Sequence, residues 1–400
     1  MPVVLLSQLL GQTETSRFLR GVVASGRIGN AYLFHGPPGV GKGTAALAFA
    51  RALLCERSAA APPAAPGLFD AAPADAAAPL DDACGRCAAC LKTAALQHPD
   101  LKFLFPVSGE EKELDATIGD TLAAWREDPY FVFQYEKAAS IRLSLTRELI
   151  REIGYKPFEA GRRVVVVRDA ERMREDQYSA LLKSIEEPGA STVWVLTTAR
   201  LSRLPATIRS RCQRVRFAPL GEALITATLE QALGVADRDA RMLAALAGGS
   251  LARAVTLRDL EPIKMRDEAL ALLQPALAGD GPGLWKAAQG FSRFGKAGRE
   301  TLRRLVEFHH LWLRDVLRAK VGAPRETLVN RDREADVRRQ AAALDATEIR
   351  RRLMVLEEML RSIEGNVSAD LTLFSGAARI AGARLGEGRW PAHATARWDY

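Results

Sequence analysis

Residues 34–44 read FHGPPGVGKGT, and no other segment constrains the fold as much. Gly36, Gly39 and Gly41 let the backbone turn its N–H groups inward around an anion. Lys42 brings a point charge for β- and γ-phosphates. Strand-like AYLF precedes the turn, and the helix-forming run TAALAFARALL follows it, so a helix N-terminus faces the same anion. A strand, a phosphate loop and a helix in that order call for an α/β domain. The loop also carries a defect. A Ser or Thr directly after the lysine would hold Mg²⁺; here that position is Gly43, and the hydroxyl comes one residue late on Thr44. One step along a helix turns a side chain by roughly 100°, so Thr44 does not simply replace it. The alternative reading is an ordinary glycine-rich strand-to-helix turn.

Cysteines supply a second constraint. Cys84, Cys87 and Cys90 form CGRCAAC, and Cys55 closes the helix after the loop. Four thiolates with two Cys-x-x-Cys steps suit a tetrahedral structural zinc. An iron–sulfur cluster and reduced thiols of a cytosolic protein are the alternatives. Cys212 lies outside this group and reads as a small buried side chain.

A chain of 400 residues with 48% hydrophobic residues can bury two or three domain cores. The start, MPVVLLSQLL, lacks a basic region and reads as no signal peptide. No apolar run approaches the roughly 18 residues of a membrane span, so a cytoplasmic protein is expected. The net charge of +8 permits nucleic-acid or nucleotide binding, but an ordinary basic surface explains it equally well.

Residues 57–83 are mostly Ala, Pro and Asp and read as a disordered insert between Cys55 and the other cysteines. Residues 106–138 read as an irregular arm carrying Trp125, Tyr130, Phe131, Phe133 and Tyr135. IRLSLTRELIREI suggests a short strand and then a helix. The β-branched run Val164–Val167 suits a buried parallel strand. A helix, QYSALLKSIEEP, is stopped by Pro188 and Gly189. The strands STVWVLTT and QRVRF flank LPATIRSRC. This alternation implies a parallel α/β sheet over 1–218. Beyond it, 219–262 reads as a small helical unit, 263–385 as a larger helical one, and 386–400 as a loose tail.

The order of these motifs resembles the AAA+ subunits of the bacterial sliding-clamp loader, part of the DNA polymerase III holoenzyme. It comprises the loop at 36–44, Cys55 with CGRCAAC, a hydrophobic strand leading to Asp169, LLKSIEEP, a strand ending in Thr197 and Thr198, and SRC at 210–212. The early segment LLGQTETSRFLRGVVASGRIGNAYLFHGPPGVGK is similar to that family's start. The resemblance covers about 1–215. It implies a P-loop domain with a zinc module at 55–90, a helical lid at 219–262 and an all-α collar at 263–385.

Two kinds of subunit exist in that family, a motor that hydrolyses ATP and a δ′ type that donates an arginine without hydrolysing. Motors carry a water-activating Glu directly after the strand-end Asp. Here Ala170 follows Asp169, and Glu171 comes one residue later. The resemblance therefore implies the δ′ type, with no ATP hydrolysis of its own and ATP/Mg²⁺ binding in doubt. Its partners would be the motor and clamp-opening subunits and, through the complex, the sliding clamp and primed DNA. Position by position, it makes Arg211 a finger acting on a neighbour, with Arg209 a nearby decoy. Asp169 becomes the Mg²⁺-side acid, Thr197 and Thr198 the polar strand end, and Arg253 a lid arginine. Lys183, Glu186 and Glu187 become structural or interface residues. The rival readings are an active γ/τ-type ATPase and, more remotely, a P-loop nucleotide kinase.

Overall fold

The computed structural model describes residues 4–58, 80–107, 114–127, 131–132, 139–186, 191–258, 261–365 and 367–382. Most of the 57–83 insert, parts of the 106–138 arm with Tyr130, Phe133 and Tyr135, the segment Glu187–Gly189 and the 386–400 tail lie outside these residues. The chain divides into two compact units. One comprises Met1–Ile225 and Ala247–Thr256; the other comprises Thr226–Leu246 and Leu257–Tyr400.

The first unit is built on five parallel strands: β1 (Ala31–His35), β2 (Leu101–Leu104), β3 (Arg163–Val167), β4 (Thr192–Thr198) and β5 (Gln213–Arg216). Their spatial order is β2-β3-β4-β1-β5. Period-2 alternation gives β1, β3 and β4 two apolar faces. Tyr32, Phe34, Val164, Val166 and Val195 point to one side. There they meet α1 (Thr13–Ser25) and α2 (Lys42–Leu54) through Leu19, Val23, Ala46 and Phe49. Leu33, Val165, Val167, Trp194 and Leu196 point to the other side. They pack on α5 (Leu143–Ile153), α6 (Glu175–Glu186) and α7 (Ala206–Arg211) through Leu149, Leu181, Ile185 and Ile208. Helices on both faces explain why these central strands read as largely apolar runs. The fold is thus an α/β P-loop domain followed by helices.

Two local expectations need correction, and one strand went unread. The 106–138 stretch is not irregular throughout: it contains α4 (Leu114–Glu127). Trp125 of α4 is buried, with its ring 5.1 Å from that of Phe103 on β2. This contact ties the arm to the sheet's edge. Among the described residues no strand leads directly into α5; Ser140 only bridges Val107, and Ile141 is buried against the apolar face. Strand β2 had no sequence signal strong enough to be read. It is four residues long, at a sheet edge, and half-buried at two of its positions.

Helices α8 (Glu222–Leu233), α9 (Asp237–Ala247) and α10 (Leu251–Leu257) follow the sheet. The second unit then contains α11 (Pro262–Leu272), α12 (Gln274–Ala278), α13 (Gly281–Ala288), α14 (Gly295–Lys320), α15 (Glu334–Ala343), α16 (Ala346–Glu364) and α17 (Ala369–Ala381). Leu302, Val306, Leu313 and Val316 line one face of α14 at helical spacing. They pack with Leu356, Met359 and Ile363 of α16 and Leu373 and Ile380 of α17.

His309 of α14 is buried, and burial pushes its imidazole down to about 4. It is neutral in the folded protein, whereas an unfolded histidine titrates near pH 6.5. Its contribution is therefore fully present above about pH 6.5. It is lost as pH falls toward 4, because only the unfolded chain takes the proton. The total is roughly 3 kcal/mol. His309→Leu should flatten the stability slope between those pH values in urea unfolding; an unchanged slope would count against this assignment.

Candidate phosphate-binding and metal sites

The glycine-rich loop leaves the C-terminal end of β1 and runs into α2. Gly41 caps α2 in the left-handed region, with φ of 95°, which suits glycine and few other residues. Close approach explains Gly36 and Gly39. A Cβ at Gly36 would lie 2.3 Å from the carbonyl oxygen of Phe217, and one at Gly39 would lie 2.1 Å from Ser250 Oγ. Lys42 does not project outward. Its ammonium donates to the carbonyls of Gly36 at 2.8 Å and Pro37 at 2.5 Å. Burial pushes Lys42 down to about 8, against the attraction of Asp169 and Glu171. Thr44 stands in the first turn of α2, half-buried, one position beyond Gly43.

The strand ends bring the other expected residues to this loop. Register pairs His35 with Thr198 and Phe34 with Thr197, so β4 ends beside the loop. β3 neighbours β4, and Asp169 N–H donates to Thr197 Oγ1 at 3.0 Å. Thr198 Oγ1 accepts from the N–H of Arg200 at 3.0 Å, so both threonine hydroxyls serve local turns. Glu171 is likewise engaged: its Oε1 accepts from the N–H of Ala199 at 3.0 Å. Arg253 lies on α10, whose Ala252 N–H donates to the carbonyl of Gly39 at 3.3 Å. Gly36, Gly39, Gly41, Lys42, Gly43, Asp169, Thr198 and the Arg253 helix therefore share one end of the sheet.

Sequence reading missed Arg168. Its Nε bonds Asp169 Oδ2 at 3.4 Å, and a Cβ built on Gly43 would meet its Nη1 at 2.9 Å. Gly43 lacks a hydroxyl, and Asp169 already has a cationic partner. The residues at this loop thus do not fit a Mg²⁺ ion as found.

Arg211 lies elsewhere. It is the last residue of α7, not part of a loop after a strand. Gln213, two residues on, pairs with Tyr32 near the start of β1, whereas the glycine-rich loop leaves from the end of β1. At about 3.3 Å per strand residue, roughly 10 Å of sheet separates these positions. Arg211 Nε pairs with Glu186 Oε1 at 2.5 Å, and both side chains are about two-fifths exposed, 41% and 43%. Lys183 is exposed on the same helix as Glu186.

The four cysteines converge as expected. The sulfurs of Cys55, Cys84, Cys87 and Cys90 all lie within 4.8 Å of one another. Two of these separations, Cys84 to Cys90 and Cys87 to Cys55, are 3.9 Å. A tetrahedral ion with Zn–S bonds of about 2.3 Å would set the sulfurs roughly 3.8 Å apart. Backbone donors orient the sulfurs. In each Cys-x-x-Cys step the first Sγ accepts from the N–H of the second cysteine, Cys84 from Cys87 and Cys87 from Cys90, both at 3.4 Å. Cys55 Sγ accepts from the N–H of Arg57 and of Cys84. Hydrogen bonding from Cys90, helped by these N–H groups, pulls Cys55 down to about 5 despite burial. Cys90 is pushed up, by sharing that bond and by burial. The donor set can hold a metal ion. Cys212 lies apart on the other face of the sheet, and burial pushes its thiol up to about 11.

Comparison with known proteins adds to this geometry. The profile of the family described as "DNA polymerase III, delta subunit" matches residues 11–221. The DNA polymerase III subunit delta' of Pseudomonas aeruginosa is 34% identical over 223 residues, 55% of this chain and 53% of that protein. The match thus spans about half of that relative's length. The subunit delta' of Bacillus subtilis is 24% identical over 360 residues, 89% of this chain and 92% of that protein. The subunit tau of Bacillus subtilis is 24% identical over 256 residues, 63% of this chain and 36% of that protein. Among the described residues, no helix is long and apolar enough to cross a membrane.

Proposed function

Because this chain belongs to the DNA polymerase III delta-subunit family, we propose that it is the δ′ subunit of a bacterial clamp loader and donates an arginine to a neighbouring ATPase subunit. One observation carries this reading. The chain's own loop has its metal positions taken by Gly43 and by an Arg168–Asp169 pair, while Arg211 stands exposed at the far end of the strands. An arginine so placed cannot serve its own loop. It can serve a neighbour's. The partners are motor and clamp-opening subunits, with the sliding clamp and primed DNA reached through the complex in the cytoplasm. In this assignment 219–262 is the lid and 263–385 the collar, and Arg253 is the lid arginine.

Zinc is the proposed metal of the four cysteines. All four ligands come from protein, which leaves no open position for chemistry. An iron–sulfur cluster spreads its thiolates over different irons, further apart than the 4.8 Å within which all four sulfurs lie.

The motor reading is the competitor, since the chain also matches a tau subunit. Motors need a carboxylate directly after the strand-end Asp, and here Ala170 holds that position while Glu171 stands one residue on, its Oε1 accepting from the Ala199 N–H. Isolated protein should therefore show no ATP hydrolysis above background. Reconstituted complex carrying Lys42→Ala should turn over ATP at nearly the wild-type rate. Robust hydrolysis by the isolated wild type, abolished by Lys42→Ala, would establish a motor instead. Omitting this chain from the reconstitution should sharply reduce clamp loading.

A further inference from the structure

We infer that Arg168 is a built-in substitute for the magnesium ion of this loop, so that the site cannot use metal-chelated nucleotide. This deepens the δ′ reading and rests on it. In a loop of this kind the ion is gripped from two sides, by a hydroxyl just after the lysine and by the strand-end acid. The guanidinium of Arg168 reaches both points. Its Nε bonds Asp169 Oδ2 at 3.4 Å, and its Nη1 lies 2.9 Å from where a Cβ on Gly43 would stand.

Gly43 fits this role. It lies inside the first turn of α2, with no positive φ that would call for glycine. A glycine in a helix is weakly unfavourable without a reason. Space supplies one: a Cβ at 43 would lie 2.9 Å from Arg168 Nη1, so a side chain there would have to push the arginine tip away. The charges also balance without a metal. Lys42 and Arg168 face Asp169 and Glu171, two cations against two anions. A divalent ion entering the site would stand beside Lys42 and Arg168 and compete for an acid already paired.

The test is equilibrium binding of a fluorescent ATP analogue to the full chain, by anisotropy, in Mg²⁺ and in EDTA. Wild type should show no gain from Mg²⁺, whether its binding is weak or absent. The double variant Gly43→Ser with Arg168→Ala should bind at least about tenfold tighter in Mg²⁺ than in EDTA, about 1.4 kcal/mol. Adding Asp169→Asn should abolish that gain. A double variant that is folded by circular dichroism yet indifferent to Mg²⁺ overturns the inference. So does wild type that binds tenfold tighter with the metal. The two ideas fail separately. ATP hydrolysis by isolated wild type removes the δ′ reading, whereas a metal-indifferent double variant beside a silent wild type removes only the role of Arg168.

Discussion

Arg211→Ala is expected to leave the chain folded and the complex assembled while it cripples ATP hydrolysis at the one motor site that Arg211 faces. An arginine reaching a neighbour's γ-phosphate neutralises charge that grows in the transition state. Such fingers are worth about 10³–10⁵ in rate in the best-studied cases. Bulk turnover should fall less, because the other motor sites keep their own arginines, but clamp loading should fall with the affected site. The structural rival is the pair with Glu186. Exposed pairs of this kind contribute only about 0–1 kcal/mol, and both partners here are about two-fifths exposed, 41% and 43%. Glu186→Ala separates the two roles. It breaks the same pair and so costs similar stability, but it leaves the guanidinium in place. Loading that survives Glu186→Ala and fails in Arg211→Ala supports the finger. Normal loading rates with Arg211→Ala in an otherwise wild-type complex would sink it. Loss of assembly in both variants would reassign the pair as structural.

Loss of the metal should have the largest effect on stability. Purified protein is expected to contain about one zinc per chain, and Cys87→Ser should lower both zinc content and resistance to heat. Structural zinc contributes apparent binding energies of about 10–16 kcal/mol in zinc-finger peptides. An ion held by the four cysteines would join the end of α2 to α3 (Ala88–Ala94), so its loss would loosen a module that packs on the main core. A loss of several kcal/mol is expected. Thiols must shed their protons to bind the ion, so zinc should also be released as pH falls. Cys212→Ala is the control. That thiol lies outside the cluster, and zinc content should not change with it. Elemental analysis showing metal-free yet fully heat-stable protein would contradict the assignment.

The parts legible in the sequence were those encoded by near neighbours along the chain. AYLF, the glycine turn and the helix after Lys42 announce a strand, a phosphate loop and a helix through local backbone preference. Val164–Val167 is apolar on both faces because helices cover both sides of its strand. Two three-residue steps set Cys84, Cys87 and Cys90 into turns where each sulfur meets the next N–H. Ala170 after Asp169 was readable as a missing carboxylate without any structure.

Only the tertiary fold decided the rest. Helix α4 was obscured by its polar, aromatic-rich setting, and its place depends on Trp125 finding Phe103. Arg168 looked like an ordinary charged residue after a strand. Its meaning comes from Gly43, 125 positions earlier by subtraction, whose missing side chain leaves it room. Arg211 could be named as a finger from its motif, but its distance from the chain's own loop follows from the pairing of Gln213 with Tyr32. Local preference acts over a few residues and can be read in order along the chain. The pairing of distant side chains depends on which strands become neighbours, and here the sheet places β4 between β1 and β3, an order that sequence position alone does not dictate.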